Sequence, residues 1–354
     1  MAQACLVLVV VGITAYAVLG GADFGGGFWD LTAGGAERGG RVRGMVQRSM
    51  SPVWEANHVW LIFVLVMLWT AFPVAFGSLF STLQIPLFLA AIGIIFRGTA
   101  FALRGHAATI REARFIGAVF ALSSVLVPFF FGATIGAVAS GRVPVGNEAG
   151  DTVSSWLNPT GVLIGVLAVL TGAYLAAVFL AGDSVDADLP DLARAFRARA
   201  LGAGAVTGAV ALGGLLVLRS DARALFDGLT SGGGLVAVLV SGLAGALTLW
   251  LAWTERYDLA RWSSAAAVGA ITVGWVLAQD PYVLPPRLTL DQAAASDATL
   301  ATLLIGMAIG AIVLVPSLVY LYRLVLAGRL QHEFEPLDQR FRPLEAGDPR
   351  EAPR

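Results

Sequence analysis

Five side chains that can carry charge or a proton interrupt apolar stretches of this 354-residue chain: Asp23, Asp30, Glu55, His58 and Arg97. Carboxylates and an imidazole pass protons, and an arginine balances charge. Inside a membrane such groups are costly, so they face the bundle interior, where they pair or serve a function. Asp23 and Asp30 are seven residues apart and share one helical face, with Gly27 between them. Glu55 and His58 are three apart and share another face, with Trp54 four residues before His58 and Asn57 beside it. Gly21 and Gly25 form a small-x-x-x-small pair that lets a neighbouring backbone approach closely. That approach brings Asp23 to a helix able to supply a donor, and the glycine face packs against protein rather than lipid.

Blander readings stand beside these. Glu55 follows Ser51-Pro52, so it also reads as an acid at a helix N-terminus. Asp30 reads as solvated at the membrane interface. Arg97 reads as a snorkelling cation unless it pairs with Asp23 or Glu55. His58 reads as a neutral ring bonded to a carbonyl. Of the three histidines, His58, His106 and His332, one falls within a span, so no axial pair for a haem and no metal site is expected on this chain. The single cysteine, Cys5, excludes an internal disulfide, a CxxC pair and a self-contained iron–sulfur cluster. The glycine run 25–27 lies in an apolar helix and follows no strand, so it is not a nucleotide loop.

The elements that must hold these groups are membrane helices. The chain is 57% hydrophobic and 13% charged, with mean hydropathy +0.77, far from the composition of a soluble domain. Stretches of about 20 apolar residues predict nine spans at 4–33, 52–76, 79–103, 114–139, 157–181, 193–218, 234–254, 261–279 and 299–326. The first basic residue is Arg38, so no basic region precedes the first apolar run and it reads as a span rather than a leader. All 23 basic residues are arginine. Eighteen fall in or at the edges of the connections after odd-numbered spans and in the C-terminal tail, four on the opposite side, and Arg97 lies within the third span. The positive-inside rule places the arginine-rich side in the cytoplasm and the N-terminus outside. With that orientation all five groups lie toward the cytoplasmic side, Asp23 deepest.

The expected fold is an all-α polytopic membrane protein: two four-helix bundles plus one peripheral helix. Residues 1–328 form one transmembrane domain, with halves at about 1–140 and 157–280 and a last helix at 299–326. A polar cytoplasmic tail covers 329–354. The longest connections are 140–156, 219–233 and 280–298. A short echo, ITAYAVLGGAD at 13–23 against TGAYLAAVFLAGD at 171–183, fits two related halves.

The run SPVWEANHVWLIFVLVMLWTAFPVAF, residues 51–76, resembles the second span of subunit II of the cytochrome bd-type quinol oxidases. Pro52, Trp54, Glu55, Asn57, Val59, Trp60, Leu61 and Phe72-Pro73 stand at that family's motif positions. Asp23-Phe24-Gly25-Gly26-Gly27, Phe96-Arg97, Asn158-Pro159, Pro281 to Pro285 and Leu288-Thr289-Leu290 match further elements in order. One departure is Glu55, where the family often has Asp; it keeps the carboxylate and lengthens its reach. The resemblance implies a subunit of a plasma-membrane respiratory enzyme that takes electrons from quinol and reduces O2 to water. It implies a heterodimer with a larger subunit I that carries haem b and haem d, while this chain holds none. It leaves room for a bound quinone or lipid and for small accessory transmembrane subunits. It implies no nucleic-acid partner and no catalytic residue on this chain alone. In that setting Glu55, Asp23 and His58 form a cytoplasmic proton path, with Trp54, Asn57, Arg97 and Asp30 in support and Gly21 and Gly25 for packing. The alternatives are a secondary transporter, or a scaffold subunit with no proton path.

Overall fold

The computed structural model describes residues 1–50, 54–104, 107, 109–147 and 150–326, without the side chains of residues 36–38, 50, 54, 55, 110, 322, 325 and 326. The polar tail expected at 329–354 and the Ser51-Pro52 cap lie outside the described residues.

The chain is mostly helical. Helix α1, Ala2–Ala15, passes through a π-helical turn, Tyr16–Gly20, into α2, Gly21–Leu31. Together they form one 30-residue apolar rod. Then follow α3 (Ala36–Met50), α4 (Trp54–Ala71), α5 (Pro73–Thr82), α6 (Gln84–Leu103) and α7 (Ile110–Ala139). The second part holds α8 (Pro159–Asp186), α9 (Pro190–Asp221), the short α10 (Arg223–Leu229), α11 (Gly232–Trp253) and α12 (Tyr257–Gln279). A two-stranded antiparallel hairpin, β1 (Tyr282–Leu284) and β2 (Leu288–Thr289), leads through α13 (Leu290–Ala293) to α14 (Asp297–Leu326).

Among the described residues, seven helices are long and apolar enough to cross a membrane, and eight if a bent pair counts as one span. The bent pair is α4 and α5, which meet at 117°. Its cause is local. Pro73 opens α5, and the residue before a proline is pushed out of the α region, here Phe72 at φ −134°, ψ 59°. The spans expected at 52–76 and 79–103 are therefore trimmed: α4 stops at Ala71 and α6 begins at Gln84. The span expected at 261–279 falls within α12, a 23-residue helix that is not among the seven; its N-terminal third carries Asp258, Arg261, Ser263 and Ser264.

Packing follows the small residues. α8 packs along α7 and α9, α6 along α7, and α2 on α7 and α8. A Cβ on Gly25 would stand 1.9 Å from the Gly172 carbonyl oxygen, and a Cβ on Gly172 would stand 2.8 Å from that of Gly21. The two echoing segments, 13–23 and 171–183, thus pack on each other through their glycines. Gly21 meets only ordinary contacts, so the closest approach rests on Gly25 and Gly172. Trp29 locks the same interface by donating its indole N–H to the Ala173 carbonyl at 2.8 Å. At the other end of α8, Asn158 caps the helix and accepts from the Gly161 amide at 2.9 Å. There Asp221 receives Arg142 at 2.7 Å and the Thr160 hydroxyl at 2.6 Å, tying three elements together.

Candidate functional site

The seven-residue step between Asp23 and Asp30 on α2 has a counterpart on α6: Arg97 and Arg104 are also seven apart. Each arginine takes one acid. Arg97 donates to both oxygens of the Asp23 carboxylate, at 2.9 and 2.8 Å, and to the Asp23 backbone carbonyl at 3.2 Å. Its Nε donates to the Ser124 hydroxyl at 2.9 Å, and that hydroxyl donates in turn to the Phe120 carbonyl at 2.7 Å. Asp23 is 1% exposed and Arg97 2%. Two turns toward the end of α2, Asp30 sits 2.7 Å from Arg104 and accepts from Arg43 of α3 at 3.0 Å. Arg43 also donates to the carbonyls of Gly34 and Gly35, which fastens α3 beneath α2.

Three packing features make these pairs possible. The arginines reach past α7 rather than across a direct α2–α6 seam. Phe120 of α7 lies under both guanidinium groups, 4.9 Å from Arg97 and 5.4 Å from Arg104, and Phe24 flanks Arg97 at 4.8 Å. Gly27 clears space for Ser124, since a Cβ there would fall 2.2 Å from its hydroxyl. Bidentate arginine–carboxylate geometry, as between Arg97 and Asp23, is what a buried pair needs to offset desolvation.

The π-helical turn places a second layer on this cluster. It inserts one residue into the rod, and such turns concentrate at functional sites. The Leu19 carbonyl within it accepts from the Asn57 amide of α4 at 3.3 Å. Tyr16, at its start, packs with its ring edge to Phe24 at 6.3 Å and to Phe131 at 6.0 Å. His58 packs with its ring centroid 6.2 Å from those of both Tyr16 and Phe24, tilted to the first and edge-on to the second. The start of α4, the π turn and the ends of α2 and α6 thus meet at one end of the bundle. Within it lie an imidazole, a phenol, an amide and a buried ion pair.

The structure brings Asp23 and Arg97 into contact and sets Asn57 and His58 against the π turn and Phe24 beside them. It corrects two readings. Asp30 is buried and doubly paired, because α3 and the end of α6 cover it, rather than solvated. Arg97 does not snorkel, because Asp23 lies within reach on the neighbouring rod. The side chains of Glu55 and Trp54 lie outside the described residues, as does His106. Sequence reasoning missed Arg104, assigned to a connection, together with Arg43, Ser124 and Tyr16. The matched seven-residue steps of Asp23/Asp30 and Arg97/Arg104 were the available signal for Arg104. Haem does not fit this cluster: His58 is walled by two rings, and no second histidine is among the described residues. Among the described residues no group of three His, Cys, Asp or Glu gathers as a metal site.

Comparison with known proteins gives one answer at three levels. The family described as "Cytochrome bd terminal oxidase subunit II" matches residues 1–325. A Bacillus subtilis (strain 168) protein described as a cytochrome bd menaquinol oxidase subunit II is 23% identical over 321 residues, covering 88% of this chain and 91% of that protein. The cytochrome bd ubiquinol oxidase subunit 2 of the same strain is 28% identical over 166 residues, covering 46% of this chain and 48% of that protein. The cytochrome bd-I ubiquinol oxidase subunit 2 of Escherichia coli (strain K12) is 27% identical over 168 residues, 46% of this chain and 43% of that protein. In fold the chain is similar to a chain of the bd oxidase from Geobacillus thermodenitrificans, with a TM-score of 0.72, 22% identity, and coverage of 92% of this chain and 98% of that one. A match over residues 1–325 takes in nearly all of the described helices: the chain belongs to the cytochrome bd terminal oxidase subunit II family, and so to the multi-pass plasma-membrane subunits of a respiratory quinol:oxygen oxidoreductase.

Proposed function

We propose that this chain pairs with a haem-bearing subunit I, holds no haem itself, and helps bring cytoplasmic protons to the place where that partner reduces O2 to water with electrons from membrane quinol. In this reading the chain crosses the membrane nine times, with the N-terminus outside and α14 peripheral. The two bundles run about 1–140 and 157–280, and the tail is cytoplasmic. One observation carries the proton role. The ionisable groups of the first bundle, Asp23, His58, Arg97 and Asp30, gather at a single end, the one that the arginine bias assigns to the cytoplasm.

The chemistry divides among the residues. Reduction of O2 consumes protons, so a path from water must offer groups that accept and release them in turn. Glu55 opens α4 one turn before His58 and is the proposed relay carboxylate. Asp23 has both oxygens engaged by Arg97; it acts as a fixed anion that supports the relay rather than as a carrier. Arg97 keeps that anion compensated, Asn57 and Trp54 shape the polar lining, and His58 extends it inward. Asp30, Arg43 and Arg104 close the mouth of the bundle. Haem, carried by the partner, supplies the redox chemistry; this chain's residues orient, pair and pass protons.

A secondary transporter would share the glycine faces and buried acids. Its charges would converge at the midplane between broken helices, whereas here they lie toward one end of the first bundle. A scaffold with no proton path is separated by the relay variants discussed below. The pairing itself is tested by a reduced-minus-oxidised spectrum of the tagged chain, purified gently from its own membrane. Haem b and d bands with a larger co-purifying subunit, both lost when that subunit is deleted, are expected. A chain that purifies alone and without haem from cells making their oxidases contradicts the proposal.

A further inference from the structure

The second bundle holds an arginine with no anionic partner among the described residues. Arg199 lies on α9 two to three turns from the Pro190 start of that helix, half-buried, with its guanidinium 5.1 Å from the Phe196 ring and 5.6 Å from the Trp29 ring. Its Nη1 is shut off from solvent and bonded to nothing among the described residues. No acid of the described residues pairs with it: Glu255 is engaged with Arg197, Asp183 with Arg261, Asp191 with Arg41, and Asp30 with Arg43 and Arg104. Trp29 cannot swing away, because its indole N–H is held by the Ala173 carbonyl. Two fixed aromatic walls therefore present an arginine that no protein anion of the described chain neutralises.

The surroundings say what kind of anion fits. Arg197, two residues away, lies over the Trp253 ring at 5.9 Å. Trp253, Trp250 and Trp262 are all exposed, Trp262 at 79%, where α11 ends and α12 begins. Exposed tryptophans clustered at one level mark the headgroup boundary of a membrane. A half-buried arginine at that level, with aromatic walls and further arginines beside it, suits a phosphodiester. We propose that Arg199, between Trp29 and Phe196, holds the headgroup phosphate of an anionic phospholipid whose chains lie along α9 and α11. The leaflet rests on the orientation proposed above; the headgroup chemistry does not.

The test uses the whole purified complex in mild detergent. Its thermal unfolding is followed with added phosphatidylglycerol, with phosphatidylcholine, and with inorganic phosphate at equal concentration. A ligand that binds the folded state alone raises the midpoint. Phosphatidylglycerol is expected to raise it by about 3 °C or more, with the other two giving less than about a third of that. Arg199→Gln is expected to abolish the difference, and Arg199→Lys to retain part of it. Should Arg199→Gln fail to assemble, the lipid extracted from the wild-type complex decides: an anionic phospholipid enriched over the bulk membrane is expected, and none overturns the proposal. An equal response to phosphatidylcholine, or an unchanged response in Arg199→Gln, also overturns it. So does full reproduction by inorganic phosphate, which would make the site one for a soluble anion.

Discussion

Asp23 and Arg97 were readable from the chain because each is too costly in lipid to stand alone, and the structure makes them partners. A pair so buried depends on both members. Removing one leaves an uncompensated charge, at about 3–5 kcal/mol, whereas replacing both with apolar groups of similar volume is close to neutral. Asp23→Leu or Arg97→Met is therefore expected to cut the amount of assembled complex and lower its unfolding temperature. The double variant is expected to recover most of both. Thermal unfolding of the four forms as a double-mutant cycle checks this, and additive losses would mean that the pair is not coupled. Asp30 was harder to read. It lies near a helix end, where solvation is the cheaper assumption, and the arginines that bury it come from α3 and from the last residues before a connection. Tyr16 and Ser124 carry no signal of their own in the sequence. Only the packed backbone reveals what they face.

At the scale of elements, glycines decide how close the rods come. Gly25→Ala puts a methyl 1.9 Å from the Gly172 carbonyl, a backbone atom that cannot step aside. The α2–α8 seam must open, and a loss of about 1–3 kcal/mol in stability is expected. Gly117→Ala and Gly202→Ala meet nothing within 4 Å and are expected to be neutral or slightly stabilising. Unfolding of the three variants side by side checks the contrast. The π turn sets the rotation of α2 relative to α1. Deleting one residue from Tyr16–Gly20 restores an α-helical register and turns everything after it by about 100°. Asp23 then leaves Arg97, and the deletion is expected to reproduce the assembly loss of Asp23→Leu. A deletion variant that assembles and unfolds like wild type would show that the turn is not a register device. The bend between α4 and α5 was foreseeable at Phe72-Pro73, since a proline marks a break. The π turn was not, because its residues, YAVLG, read as ordinary helix. Nor was α3, whose polar face and many arginines look like a connection until α2 is there to receive it.

For the whole molecule, the order of apolar segments carried over to the helices nearly one for one, since length and hydropathy answer to bilayer thickness alone. What composition could not convey is the arrangement that gathers charges where α2, α6 and α7 pack, because that depends on which faces meet. Orientation is a separate matter, and the arginine asymmetry makes a definite statement about it. A reporter that matures only outside the cytoplasm, joined ahead of Ala2, is expected to be active, and the same reporter joined after Leu326 inactive. The reverse pattern would place the acidic cluster on the outer side and remove its role with cytoplasmic protons.

The central proposal is the proton relay, and Glu55→Gln in the assembled complex tests it most directly. Glutamine keeps the shape and removes the titrating group. The measurement is quinol-driven O2 consumption by a complex whose haem b and d spectrum matches wild type. A fall of about 10²-fold or more with the spectrum intact is the expected result, in line with the usual contribution of a positioned proton-transfer group. Wild-type turnover in that same complex would contradict the relay and leave the chain as a scaffold.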